Sequence, residues 1–346
     1  MKKILLTGAA GFIGSHMVEE ILKNTDWNIV VVDRLDTSGN LNRLTDMDCW
    51  EEMKHRVKFV YHDLKAEISE YVGNQIGNEF DYIVHLAAGS HVDRSIVDPL
   101  SFVKDNVVGT CNILNFARTN LKKEGIFEYF GTDEVFGPAP EGVAYKEWDR
   151  FNPNNPYAAS KAGAESLCDS FANTYQMNII TTHCMNVFGE RQHPEKFIPM
   201  VIKKILNRDS ITIHSYPDKI HSGTRFYLHA RNISAAIVWL LQNGKCLNRE
   251  ATEGKYNIVG NKEVSNEEMA LLVSKYVHEW GEEKGIDIPP INYEMVDFHS
   301  SRPGHDPRYS LDGSYLKYSG FEYPHSFEES LKKMIYWTLD NKEKWL

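Results

Sequence analysis

A short apolar run that stops at a glycine turn leaves a chain few options, and this one begins with such a run: "KILLTG" at 3 to 8 leads directly into "TGAAGFIGSH". The first stretch reads as a buried strand, the second as a tight turn opening an amphipathic helix. Gly8, Gly11 and Gly14 fall in G-x-x-G-x-x-G spacing. Glycine there permits the turn, lets backbone approach a pyrophosphate, and lets helix and strand pack closely, while the helix N-terminus attracts phosphate charge. Further apolar runs follow at "NIVVVD" (28 to 33), "YIVHLAA" (82 to 88) and "IFEYFG" (126 to 131), with helical spacing in "HMVEEILKN" and in 102 to 120. Strands alternating with helices predict an α/β fold built on a doubly wound parallel sheet.

Beyond about residue 186 the alternation loosens. Prolines at 194, 199 and 217 and more aromatics suggest a second lobe, and "FYLHARNISAAIVWLLQN" (226 to 243) suggests a return to the first. The expected organisation is a Rossmann-type NAD-binding domain of residues 1–185 and 226–258, with a smaller C-terminal substrate-binding lobe of residues 186–225 and 259–346. A net charge of −10 argues against nucleic acid or an anionic membrane surface as partner, since both select for clustered Lys and Arg. No apolar run approaches the roughly 20 residues that cross a bilayer, and glycines and acids interrupt the N-terminus too early for a signal peptide. Cys49, Cys111, Cys168, Cys184 and Cys246 show no CxxC spacing and read as reduced cytoplasmic thiols, with no metal site.

Asp33 closes the second strand 19 positions after Gly14, where a carboxylate can accept from the adenosine ribose hydroxyls and repel a 2′-phosphate. NAD is therefore the expected cofactor, although Arg34 pulls the other way. Phe12 and Ile13 within that turn and Ala87 at the end of "YIVHLAA" are further candidate cofactor contacts, and Asp63 and Leu64, after "VKFVYHD", are placed along the adenine.

"NPYAASKAGAESL" puts Tyr157 and Lys161 four apart on one helix face. An ammonium near a phenol favours the phenolate, which can take a hydroxyl proton. Tyr61 and Lys65 match the spacing too, but "YHDLK" lies at a strand end without helical context. The stretch "FEYFGTDEVFG" then ends a strand on Thr132, Asp133 and Glu134. Two adjacent carboxylates, one with a raised pKa acting as acid and one ionised and acting as base, suit the loss of water next to a ketone.

With these residues, "TGAAGFIGSH", "HLAAGSHVDRSI", "GTDEVFG", "YAASKA", "NVFGERQHPEKFIPM" and "RPGHDPRYSLD" together resemble the extended short-chain dehydrogenase/reductases, and within them the nucleotide-sugar 4,6-dehydratases, above all those acting on dTDP-glucose and UDP-glucose. The resemblance implies a redox-neutral sequence in which Tyr157 takes the C4 hydroxyl proton, Glu134 the C5 proton, and Asp133 protonates the departing C6 hydroxyl, Thr132 meeting the C4 oxygen. It implies a nucleotide-sugar substrate held by Ser90, Asn186, Glu195, Lys196, Arg225, Asn266, Arg302 and His305, with Asn106 on the cofactor side. It further implies a homodimer in which segments 102 to 120 and 157 to 175 form a four-helix bundle. Gly89, where relatives carry Glu or Gln, and "TRFYLHARN", in place of an Arg-Asp-Trp run, depart from the family pattern. A GDP-mannose 4,6-dehydratase, a UDP-sugar 4-epimerase or an inactive dinucleotide sensor are the alternatives. Asp33, the Asp133-Glu134 pair and the Tyr157-Lys161 pair each argue against one of them.

Overall fold

The computed structural model describes residues 1–36, 38–297 and 308–346. Among them the strands run, in chain order, β1 (Lys3–Thr7), β2 (Asn28–Asp33), β3 (Val57–Tyr61), β4 (Phe80–His85), β5 (Leu121–Phe130), β6 (Ile179–Cys184), β7 (Asn186–Phe188), β8 (Ile211–Ser215), β9 (Thr224–His229), β10 (Lys255–Ile258), β11 (Glu263–Ser265) and β12 (Tyr293–Asp297). Continuous apolar runs such as Ile4, Leu5 and Leu6, all fully buried, need cover on both faces. The seven-stranded sheet that results has the order β3-β2-β1-β4-β5-β6-β10, and its neighbours pair in parallel. Chain direction across the sheet reverses between β1 and β4, which opens a crevice at the carboxyl ends of the strands.

One face of the sheet is covered by the first helix (Phe12–Asn24) and the helix Ala230–Asn243, which set Met17, Ile21, Ile233 and Ile237 against Ile4, Leu6 and Val31. The other face is covered by Gly109–Asn120 and Pro156–Tyr175, with Ile113, Leu114, Ala164 and Cys168 on Leu5, Val30 and Phe127. Each large aliphatic side chain so buried contributes about 1.5–3 kcal/mol before the entropy of ordering it. The single helix expected over 102 to 120 is in fact interrupted. A turn at Pro99–Phe102 leads into a π-helical segment, Val103–Val108, and only then into the regular helix. Asn106 lies in the wide segment, with its amide tied to Gly89 and Ser160, and such widened turns let a helix present one side chain out of register.

β7, β9 and β11 form a small sheet and β8 pairs with β12. Helices Phe197–Asn207, Asn266–Lys284 and Phe327–Asp340 pack a second core on them through Ile202, Ile205, Val273, Val277, Leu331 and Ile335. Ser265 and Ser326 accept from the amides of Glu268 and Glu329, the first half of a capping box at each helix start. The strand β9 spans position 226, and the chain re-enters the first lobe with the helix that starts at Ala230. A buried polar cluster joins the lobes: the His16 ring on the first helix lies 3.0 Å from the Glu190 carbonyl, His229 is 3.0 Å from the Glu190 carboxylate, and Arg191 donates to Glu19 at 2.7 Å. No helix among the described residues is long and apolar enough to cross a membrane.

Candidate active site

The crevice at the carboxyl ends of β1, β4 and β5 is a cavity of about 820 Å³ that extends into the second lobe. Its floor at the β1 end is backbone. Gly8 has φ +71°, and a Cβ on it would lie 2.7 Å from the Ala87 backbone; a Cβ on Gly14 would lie 2.4 Å from the Gly8 carbonyl oxygen. A side chain at either place would fill the turn, so main chain itself faces the cavity. Gly11 caps the first helix without a side-chain hydrogen bond, so the helix N-terminus opens toward Phe12, Ile13 and Gly14, which line the cavity.

Asp33 is buried. It accepts from the amides of Ala10 (3.0 Å) and Leu35 (2.9 Å), and each oxygen keeps further acceptor capacity. Arg34 beside it is tied up: its guanidinium is bidentate on Asp105 (2.5 and 3.0 Å), pairs with Asp36, and reaches Asp63 at 3.4 Å. Hydrogen bonding to Asp105 and the charges of Asp105 and Asp36 outweigh burial and hold it firmly protonated. Asp63, Leu64 and Ala87 line the same end. This end fits a dinucleotide on three counts: a loop with no room for a Cβ at Gly8 or Gly14, an open helix N-terminus, and a buried carboxylate with acceptor capacity to spare whose neighbouring cation is already paired. Asn106 lies behind the wall, almost fully buried, its side chain bonded to the Gly89 amide (2.7 Å), the Gly89 carbonyl (3.1 Å) and Ser160 (2.8 Å). A Cβ on Gly89 would crowd Phe102 at 3.2 Å and Asp105 at 3.3 Å, so a side chain there needs those neighbours to give by a few tenths of an ångström.

At the cavity's centre the end of β5 turns through Thr132 into a 3₁₀ turn, Asp133–Phe136, and the Pro156–Tyr175 helix brings Tyr157 and Lys161 beside it. Asp133 is buried, bonded through one oxygen to the Thr132 hydroxyl at 3.1 Å, and its other oxygen has no partner among the described residues. Burial first, then the Glu134 charge, push its pKa up to about 7, with Thr132 and Arg225 acting against the shift. Glu134 is treated differently, for its Oε2 accepts from the Asn155 amide at 3.1 Å and from the Tyr309 hydroxyl at 3.5 Å. Adjacent carboxylates thus occupy unlike environments, one buried and favouring its acid form, the other accepting hydrogen bonds from two donors.

Lys161 donates to the Phe130 carbonyl at 2.6 Å and sits 4.3 Å over the Tyr129 ring, and burial lowers its pKa to about 8. The expectation that its charge pulls the Tyr157 phenol down is not realised in this arrangement. Burial, followed by Glu134, pushes the phenol well up, and a hydrogen bond with Thr132 offsets part of that.

The second lobe closes the far end. Asn186, Glu195, Lys196, Arg225 and Asn266 line the cavity there, and Ser90 lines it on the first-lobe side; Arg302 and His305 lie outside the described residues. Arg225 stacks 5.1 Å over Tyr309, and Glu195 pairs with Arg94 at 3.2 Å. Sequence reasoning passed over Asn155, Tyr309, Asp105, His214 and Tyr227. The N-P-Y pattern was a usable signal for Asn155 as a helix cap; the others reach the site through tertiary contact alone.

The family model described as GDP-mannose 4,6 dehydratase matches residues 5–334. The chain is 34% identical to a dTDP-glucose 4,6-dehydratase of Escherichia coli, over 99% of this chain and 95% of that protein. It is also 34% identical to a trifunctional UDP-glucose 4,6-dehydratase/UDP-4-keto-6-deoxy-D-glucose 3,5-epimerase/UDP-4-keto-L-rhamnose-reductase of Arabidopsis thaliana, over 99% of this chain and 48% of that protein. Among solved structures it is similar to the dTDP-glucose 4,6-dehydratase of Streptomyces venezuelae with NAD and TYD bound, with TM-score 0.81, 30% identity, and 99% and 98% of the two chains covered.

Proposed function

This chain belongs to the family described as GDP-mannose 4,6 dehydratase, and from that membership we propose how its residues divide the work. The protein is an NAD-dependent nucleotide-sugar 4,6-dehydratase, a hydro-lyase that converts dTDP-glucose or UDP-glucose to the 4-keto-6-deoxy sugar nucleotide. NAD, when bound, would supply a hydride acceptor at C4 and a hydride donor at C6, so the overall reaction would be a dehydration with no net redox change. Gly8, Gly11, Phe12, Ile13, Gly14, Asp33, Asp63, Leu64 and Ala87 hold the dinucleotide, and Lys161 orients its nicotinamide ribose.

Tyr157 takes the proton of the C4 hydroxyl, with Thr132 hydrogen-bonded to both reacting oxygens. The ketone acidifies C5–H, and Glu134 removes that proton. Asp133 protonates the C6 hydroxyl, which leaves as water, and C5 is reprotonated as C6 becomes a methyl group. The observation that carries the reading is the contrast within the Asp-Glu pair: Asp133 is buried with one oxygen unpartnered and titrates near 7, while Glu134 accepts hydrogen bonds. Such a pair supplies an acid and a base at one pH.

Residues 1–185 and 226–258 serve the cofactor in this scheme. Residues 186–225 and 259–346 serve the nucleotide, with Arg225 and Lys196 on the diphosphate and Asn186 and Asn266 on the base and its sugar, Ser90 and Glu195 completing the sugar pocket. Arg302 and His305 belong to the same group on the sequence resemblance. Five free thiols support a cytoplasmic setting. Exposed Val97, Leu100, Val103 and Val108 along one flank support a homodimer through the helices that carry segments 102 to 120 and 157 to 175.

Proton NMR of the purified protein incubated separately with dTDP-glucose and UDP-glucose, without added reductant, tests the reading. A new C6 methyl signal is expected as the hydroxymethyl protons disappear, and the ratio of rates names the preferred nucleotide. Neither sugar changing, with NAD still bound, would refute it.

A further inference from the structure

The residue just before the catalytic helix makes two bonds that are chemically incompatible with any other orientation. Asn155 is the N-cap of Pro156–Tyr175, and its side-chain oxygen accepts from the Ala158 amide at 2.8 Å. A backbone N–H can only donate, so the oxygen of the amide must face it and the NH₂ must face away. That NH₂ donates to Glu134 Oε2 at 3.1 Å. The Tyr309 hydroxyl approaches the same oxygen at 3.5 Å, and the Tyr309 ring is buried under the Arg225 guanidinium, 5.1 Å away.

We propose that Asn155, assisted by Tyr309, is the positioning residue for Glu134, locking the carboxylate that removes the C5 proton to the helix that carries Tyr157 and Lys161. The inference rests on the reading of Glu134 given above. One side chain thereby fixes the separation of the two proton acceptors, Tyr157 at C4 and Glu134 at C5. A cap of this kind cannot slacken without moving both. Tyr309 adds a link to the second lobe, since its ring carries the cation assigned to the diphosphate, so the base is also held from the nucleotide side. Among the described residues, Asp133 on its own turn and Tyr157 on the helix are electrostatically coupled to Glu134, Tyr309 approaches it, and Lys161 and Arg225 on β9 line the same cavity.

Asn155→Asp separates positioning from capping. Aspartate caps as well as asparagine, and its charge is favourable at a helix N-terminus, so a capping role alone leaves activity unchanged and thermal stability equal or higher. Positioning predicts the opposite: the donor to Glu134 becomes a like charge. With dTDP-glucose in D₂O, we expect kcat to fall about tenfold to hundredfold with KM changed less than about threefold. Deuterium incorporation at C5 of the product should slow in parallel, and the acid limb of the kcat profile should move to higher pH, because a carboxylate that loses a donor is harder to ionise. Tyr309→Phe should shift the same limb in the same direction by less, with the melting temperature monitored for both variants. Both variants keeping kcat within twofold and an unmoved acid limb would overturn the proposal. If the unsubstituted protein forms product with no deuterium at C5, the assignment of Glu134 as base fails first, and this inference with it.

Discussion

At the scale of single residues, the question is how two neighbouring carboxylates avoid doing the same thing. Asp133 is enclosed, with one oxygen on Thr132 and the other unmatched, whereas Glu134 has donors. Asp133 has a consequence for stability as well as rate. Its pKa is raised from 3.8 to about 7 in the folded protein, so between those values the native state holds a proton the unfolded chain has released. Stability contributed by that proton is complete below about pH 4 and lost as pH rises through 7. Asp133→Asn is therefore expected to raise the melting temperature at pH 8, by on the order of 1–4 kcal/mol of stability, and to change it little at pH 4. It should also cost about 10²–10⁴ in kcat while NAD stays bound. Calorimetry at the two pH values checks the first half, and a substitution that destabilises equally at both would refute it.

At the scale of elements, the strand-turn-helix at the N-terminus was legible because glycine spacing, apolar run and terminal acid describe one local object. The adenosine end was not fully legible. Arg34 reads in the sequence as a potential phosphate partner, yet Asp105, on a π-helical segment 71 positions away, holds it in a bidentate pair. A share for Asp105 in cofactor choice, beside Asp33, is the prediction that this pair makes. Asp105→Asn is expected to release the guanidinium and raise affinity for a 2′-phosphorylated dinucleotide relative to NAD by about threefold to tenfold, a charge-assisted pair at a partly exposed site being worth roughly 1 kcal/mol. Equilibrium dialysis with both dinucleotides measures the ratio, and an unchanged ratio would show that Asp33 decides alone.

At the scale of the whole molecule, the lobes meet around buried groups no local pattern announces: His16, Glu190, Arg191 and His229 form a polar seam between the first helix and the chain leaving β7. Elsewhere on the surface, Val97 and Leu100 are 86% and 60% exposed, which is expensive surface for an isolated chain. Light scattering at micromolar concentration should report two chains, and Leu100→Glu with Val103→Glu should report one; a monomer before substitution would remove the dimer.

Short-range spacing alone announced the doubly wound sheet, and named as candidates the glycine turn, Asp33, and the Thr132–Asp133–Glu134 and Tyr157–Lys161 sets, which the fold brings to one cavity. The fold supplies the environments behind the acid and base expected at Asp133 and Glu134: burial for the first, and for the second donors from Asn155 and Tyr309, 21 and 175 positions from Glu134. It also decided that Lys161 bonds Phe130 and that burial and Glu134 govern the Tyr157 phenol. A pKa is set by every charge and donor within a few ångströms, and those neighbours are chosen by the fold.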